Sequence, residues 1–167
     1  MNNLNKLLLK TAFACMVCDG DIDDSEVKQI KDFHSKNRAF GEIILEKEID
    51  KLIESINNDS NLFIRTYFEE LSNAELSKKD ELKIIETAIK VIEADEKIEY
   101  NEIRFFKIIR SKLKISNEEI LKLYPALEEY LETDIISESY LANLQFGFFD
   151  SSNLPHFQSL GDDFKDK

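Results

Sequence analysis

The chain has 167 residues, with 34 Asp and Glu against 22 Lys and Arg, a net charge of −12. Nucleic-acid binding rests on Lys and Arg displacing counterions, so a surface this acidic argues against it and attracts cations and basic partner surfaces instead. Hydrophobic residues at 43% exclude a disordered polyanion, and only four Gly and two Pro favour one all-α domain over a turn-rich sheet protein.

Residues 3–18 carry Leu4, Leu7, Leu8, Thr11, Ala12 and Cys15 and are nearly continuously apolar. That pattern predicts a helix buried on most of its sides. Residues 7–18 could pass for a short signal segment, but Lys10 interrupts the run and no basic cluster precedes it. Cys15 and Cys18 are too few for a disulfide framework. Their C-x-x-C spacing falls near the C-terminal end of the predicted helix, where the dipole opposes a thiolate, so both read as small buried hydrophobes. No stretch of 18 apolar residues occurs, and the expectation is a cytoplasmic protein without a membrane span.

Asp19-Gly20-Asp21 breaks the first helix. A second is predicted from about Ser25 to Lys36, with Asp23 and Glu26 spaced as a capping box. Residues 41–57 and 61–72 read as two further helices around the turn Asn57-Asn58-Asp59-Ser60. The pattern then restarts, with helices over 78–94 and from Tyr100 to Lys114. Ser116-Asn117-Glu118-Glu119 opens another, bent or ended near Pro125.

Placing residue 11 over residue 87 aligns TAFACMVCDGDIDDSEVKQIKDF with TAIKVIEADEKIEYNEIRFFKII without a gap. Thr11 then matches Thr87, Asp19 matches Asp95, Ile22 matches Ile98 and Glu26 matches Glu102. Internal repeats of this kind mean duplicated units that share a core. The first copy's equivalent lies mid-chain, where no signal peptide could act, so the signal reading is set aside.

The shared element is Asp-x-x-Ile-x-x-x-Glu. Its first copy holds Asp19, Asp21, Asp23, Asp24 and Glu26 within eight residues, a dense cluster whose mutual repulsion calls for compensation. A divalent cation with oxygen ligands would supply it. Carboxylates in a first helical turn also satisfy orphan backbone N–H groups, so capping without metal explains the same residues. An EF-hand fails on spacing: with Gly20 as the sixth loop residue, its first and third places are Cys15 and Val17.

The helix ending in Asp19-Gly20, the following Ile22 and Glu26, and the second Asp95…Glu102 motif resemble the tellurite-resistance TerB family, which is related to the N-terminal domain of membrane-anchored DnaJ-like proteins. The resemblance covers roughly residues 3–130. It implies a compact bundle of about seven helices with an internal pseudo-two-fold repeat, and a non-enzymatic role in stress-response assemblies with protein partners. It also implies divalent metal (Ca2+, Mg2+ or Zn2+) at Asp19, Glu26, Asp95 and Glu102, with Asp21 and Asp23 as this sequence's own supplements. Glu96 stands where the family commonly has glycine, which weakens the second site.

Catalysis has little to rest on. No Glu-x-x-His pair exists for a di-iron bundle, and the two histidines, His34 and His156, read as surface residues. The stretch 134–167 differs from the predicted helical domain 1–133 and has no counterpart in short family members. It holds five of the twelve phenylalanines. Packing on its own domain is the ordinary role for such a tail; docking on a partner is the other, and Phe146, Phe148, Phe149 and Phe157 are the candidate contacts.

Overall fold

The computed structural model describes residues 3–95, 98, 100–131, 148–149 and 154–164. Among them the secondary structure is entirely helical. The helices are α1 (Asn3–Val17), α2 (Asp24–Asn37), α3 (Leu45–Asn58), α4 (Ser60–Asn73), α5 (Lys78–Ile92), α6 (Tyr100–Ser111), α7 (Asn117–Leu123) and the single turn α8 (Glu128–Leu131). Short 3-10 turns lie at Glu93–Asp95, Pro125–Leu127 and Gly161–Phe164. Among the described residues no helix is long and apolar enough to cross a membrane.

Helix α1 is the centre of the molecule. From Leu7 to Cys18, only Lys10 escapes full burial. Its principal neighbour is α5, and α2, α3, α4 and α6 also pack on it. Thr11 shows how a polar residue fits such a helix: its hydroxyl bonds to the Leu7 carbonyl and to the Tyr67 hydroxyl, both at 2.8 Å, which ties α4 to α1. Phe13 meets Phe63 of α4 edge-on at 5.6 Å.

Helix starts follow the sequence closely because side chains cap them. Asp23 with Glu26, Ser77 with Asp80 and Ser116 with Glu119 each form a reciprocal capping box. Boundaries without such a cap follow it less well. The helix predicted from residue 41 begins only at Leu45, because Gly41 turns the chain at φ +79° and Ile44 takes the extended N-cap position, 52% exposed. A side chain at Gly41 would also collide with Asn5 of α1. The helix predicted to Lys114 stops at Ser111: the N–H groups of Lys112 and Leu113 turn to carbonyls three residues back, and Glu81 of α5 takes the next two.

The capping carboxylates carry an acid dependence. Hydrogen bonds from the Ser25 hydroxyl and amide hold Asp23 below the usual carboxylate range, and bonds from Ser77 do the same for Asp80. The Lys78 ammonium, then the Ser116 amide, lower Glu119. A group with a depressed folded pKa stabilises the fold above its unfolded value, near pH 4, and that contribution disappears as pH falls through the folded value. The urea midpoint is therefore expected to drop on acidification below about pH 4. The drop should be smaller in the Asp80→Asn, Glu119→Gln double variant, and an equal drop would show that other groups drive it.

Candidate functional site

The first acidic loop is built around its own backbone. Helix α1 ends at Val17, and Gly20 bonds back to the Val17 carbonyl at 3.0 Å. Gly20 has φ +90° and open space around it, so the conformation, not crowding, calls for glycine. Asp19 Oδ1 accepts from the Asp21 amide at 3.0 Å, a local turn closed by a side chain. Asp23 Oδ1 accepts from the Ser25 amide at 2.8 Å and from the Ser25 hydroxyl. Glu26 Oε2 accepts from the Asp23 amide at 3.0 Å. Asp19, Asp21 and Asp23 are exposed, whereas Glu26 is only 2% exposed.

The second motif repeats that burial. Glu102, in the first turn of α6, is 1% exposed, and Ile22 and Ile98 are both half-buried against the core. Asp95 ends the 3-10 turn after α5, but its side chain lies outside the described residues, as do Glu96 and Glu99.

Folding brings the two glutamates to one end of α1. Burial pushes the Cys15 and Cys18 thiols well above their ordinary range, and the charges of both Glu26 and Glu102 push each further up. Helix α2 meanwhile packs on the 3-10 turn Glu93–Asp95 that opens the second motif. The thiols therefore stay protonated, and Cys18 Sγ donates to the Cys15 carbonyl at 3.2 Å. They act as buried hydrophobes, as their place on the helix predicts.

The charge of Asp19 also pushes Cys18 up, and Asp19 and Asp21 are both exposed. They line a cleft of about 480 Å3 with Asn101 of the second motif and with Phe148, Phe149 and His156 of the tail. Among the described residues no three His, Cys, Asp or Glu side chains gather as a metal-holding group. In the first loop Asp19, Asp23 and Glu26 each accept a backbone amide through one carboxylate oxygen. His156 is exposed, but His34 is half-buried and stacked on Phe40 at 5.9 Å rather than a surface residue.

Of the tail phenylalanines, Phe146 lies outside the described residues. Phe148 and Phe149 are half-buried against the core, and Phe157 is 6% exposed. Phe164, absent from the sequence-based candidates, is buried as deeply as any of them, at 2% exposed. Sequence reasoning also missed Asp50, Asn57 and Asn61, which hold the tail's main chain. Asparagines around a predicted turn read as turn formers, and nothing local distinguishes one that reaches across to a distant segment.

No protein-family model matches the chain, and neither a curated protein nor a solved structure does.

Proposed function

We propose that the chain is a non-enzymatic binding module of the TerB-like kind, in which two copies of a helix–acidic loop–helix unit share one core and the loop carboxylates organise the loops. Such a module works through protein partners, in the stress-response setting that the TerB resemblance implies. The observation that carries this reading is the equivalence of Glu26 and Glu102, both buried and both in the first turn of the second helix of their unit. Other matched positions support it. Thr11 and Thr87 each donate to the carbonyl four residues back at 2.8 Å. Asn5, the equivalent of Glu81, likewise lies against the loop after its unit's second helix.

A divalent cation at the meeting point of the loops is the second reading, favoured by one observation. Two carboxylates buried near the same two thiols make a locally negative interior, where a counter-charge stabilises the ionised forms. Asp19, Glu26, Asp95 and Glu102 are the residues that would hold it.

Calorimetry of the metal-free chain with Ca2+, Mg2+ and Zn2+, paired with thermal melts, separates the two. If the carboxylates only organise loops, no titration gives saturable heat or a higher Tm, and Glu26→Gln costs about 1 kcal/mol through the weakened cap. Saturable heat with one ion, abolished by Glu26→Gln and by Glu102→Gln, would overturn the metal-free reading and establish the second.

A further inference from the structure

Residues 154–160 form no helix or strand, yet the tail's main chain is met at Phe149, Phe157 and Leu160 by side chains of α3 and α4. Asn57, in the last turn of α3, donates from Nδ2 to the Phe157 carbonyl at 2.6 Å and accepts at Oδ1 from the Phe157 amide at 2.8 Å. Asn61, in the first turn of α4, repeats the arrangement on Phe149, at 3.2 Å to the carbonyl and 2.7 Å from the amide. Asp50 Oδ1 accepts from the Leu160 amide at 3.1 Å and from the Ser159 hydroxyl at 2.6 Å. A carboxamide that meets both the N–H and the C=O of one residue supplies what a neighbouring β-strand would supply. Asp59 presents the two asparagines side by side, because it ends α3 and caps α4 at a single-residue corner.

Main-chain bonds accept any sequence, so selectivity has to come from side-chain sockets. Phe157 and Phe164 are buried in the core cluster, and the 3-10 turn carrying Phe164 lies on α3 and reaches α2. Phe148 meets Phe105 of α6 edge-on at 5.3 Å. The described tail residues Phe149, Phe157 and Leu160 thus meet Asn61, Asn57 and Asp50 in turn, with aromatic anchors at each end.

We propose that this face is a groove for an extended, phenylalanine-bearing peptide, read through its main chain by Asn57, Asn61 and Asp50, and that the chain's own tail occupies it in cis. The proposal rests on the reading of the chain as a protein-binding module and names the partner's chemistry: a segment with phenylalanines spaced as Phe148, Phe157 and Phe164 are. A tethered tail acts at an effective concentration of roughly millimolar, so a partner segment binds only by outcompeting it. The occupied groove is then an autoinhibited one.

The test uses the full chain and a fluorescein-labelled peptide of residues 148–164. A Phe157→Ala, Phe164→Ala chain has a weakened tail and an intact groove, and it is expected to bind the peptide at least tenfold more tightly than the unaltered chain does. Adding Asn57→Ala should cost tenfold or more, and a peptide carrying Phe157→Ala should not bind. A second measurement covers failure of the double variant to fold. In a chain cut once within residues 134–147, the tail should co-elute with the body on gel filtration and exchange for excess labelled peptide. A tail that never exchanges, or peptide binding indifferent to Asn57→Ala, overturns the proposal and makes the segment a plain part of the fold. Either failure leaves the reading of the loop carboxylates untouched, since cation calorimetry tests that separately.

Discussion

Phe105→Ala is expected to lower the unfolding free energy by about 3–5 kcal/mol, the usual cost of truncating a fully buried phenylalanine. For a chain of this size the melting temperature should fall by roughly 10 °C. Phe105 is completely buried on α6. It stacks on Tyr67 at 6.2 Å, lies tilted against Phe68 at 5.2 Å, and takes the edge of Phe148 from the tail. One ring therefore joins α4, α6 and the tail, and Tyr67 passes the contact on to α1 through Thr11. Removing it leaves a void that three elements would have to close together, which packed interiors do only in part. Urea denaturation with an unchanged m-value measures the loss. A cost under about 1 kcal/mol would mean that Phe148 and its neighbours collapse into the space, so that the tail is only loosely seated.

Glu81→Ala comes next, with an expected cost of roughly 2–4 kcal/mol. Glu81 is buried on α5, and its carboxylate accepts from the Lys114 amide at 3.1 Å and the Ile115 amide at 2.7 Å. Those amides follow α6 and precede α7, where no helical carbonyl serves them. Alanine leaves two donors in a largely buried place without a charged acceptor, and that desolvation is the source of the cost. Glu81→Gln should recover part of it, because the amide oxygen still accepts one bond. Equal losses for the two variants would show that charge, not hydrogen bonding, holds the loop. Hydrogen exchange at Lys114 and Ile115 reports the same contact locally, and both amides should lose protection in Glu81→Ala.

These residues mark the boundary between local and distant information. The helix starts were legible because a cap is local: Asp23 with Glu26, and Ser116 with Glu119, are three residues apart and satisfy each other. Burial of α1 was legible too, since Leu7 to Cys18 leaves a helix hardly any polar face. The same locality made the acidic motifs visible, but not their use. Nothing local separates Glu26 from the exposed Asp23 and Asp24 beside it, and only the packing of α2 and α6 on α1 buries Glu26 and Glu102 near the same thiols. Phe164, Asn57 and Asn61 carried no periodic signal at all, because their partners lie about a hundred residues away or more.

The sequence by itself determined the helical class, the helix starts that carry side-chain caps and the apolar central helix, all from interactions within a few residues. Only the tertiary structure decided which carboxylates are buried, where the helices end, and what the tail lies on. Those outcomes depend on contacts between segments far apart in the chain, which no local pattern encodes.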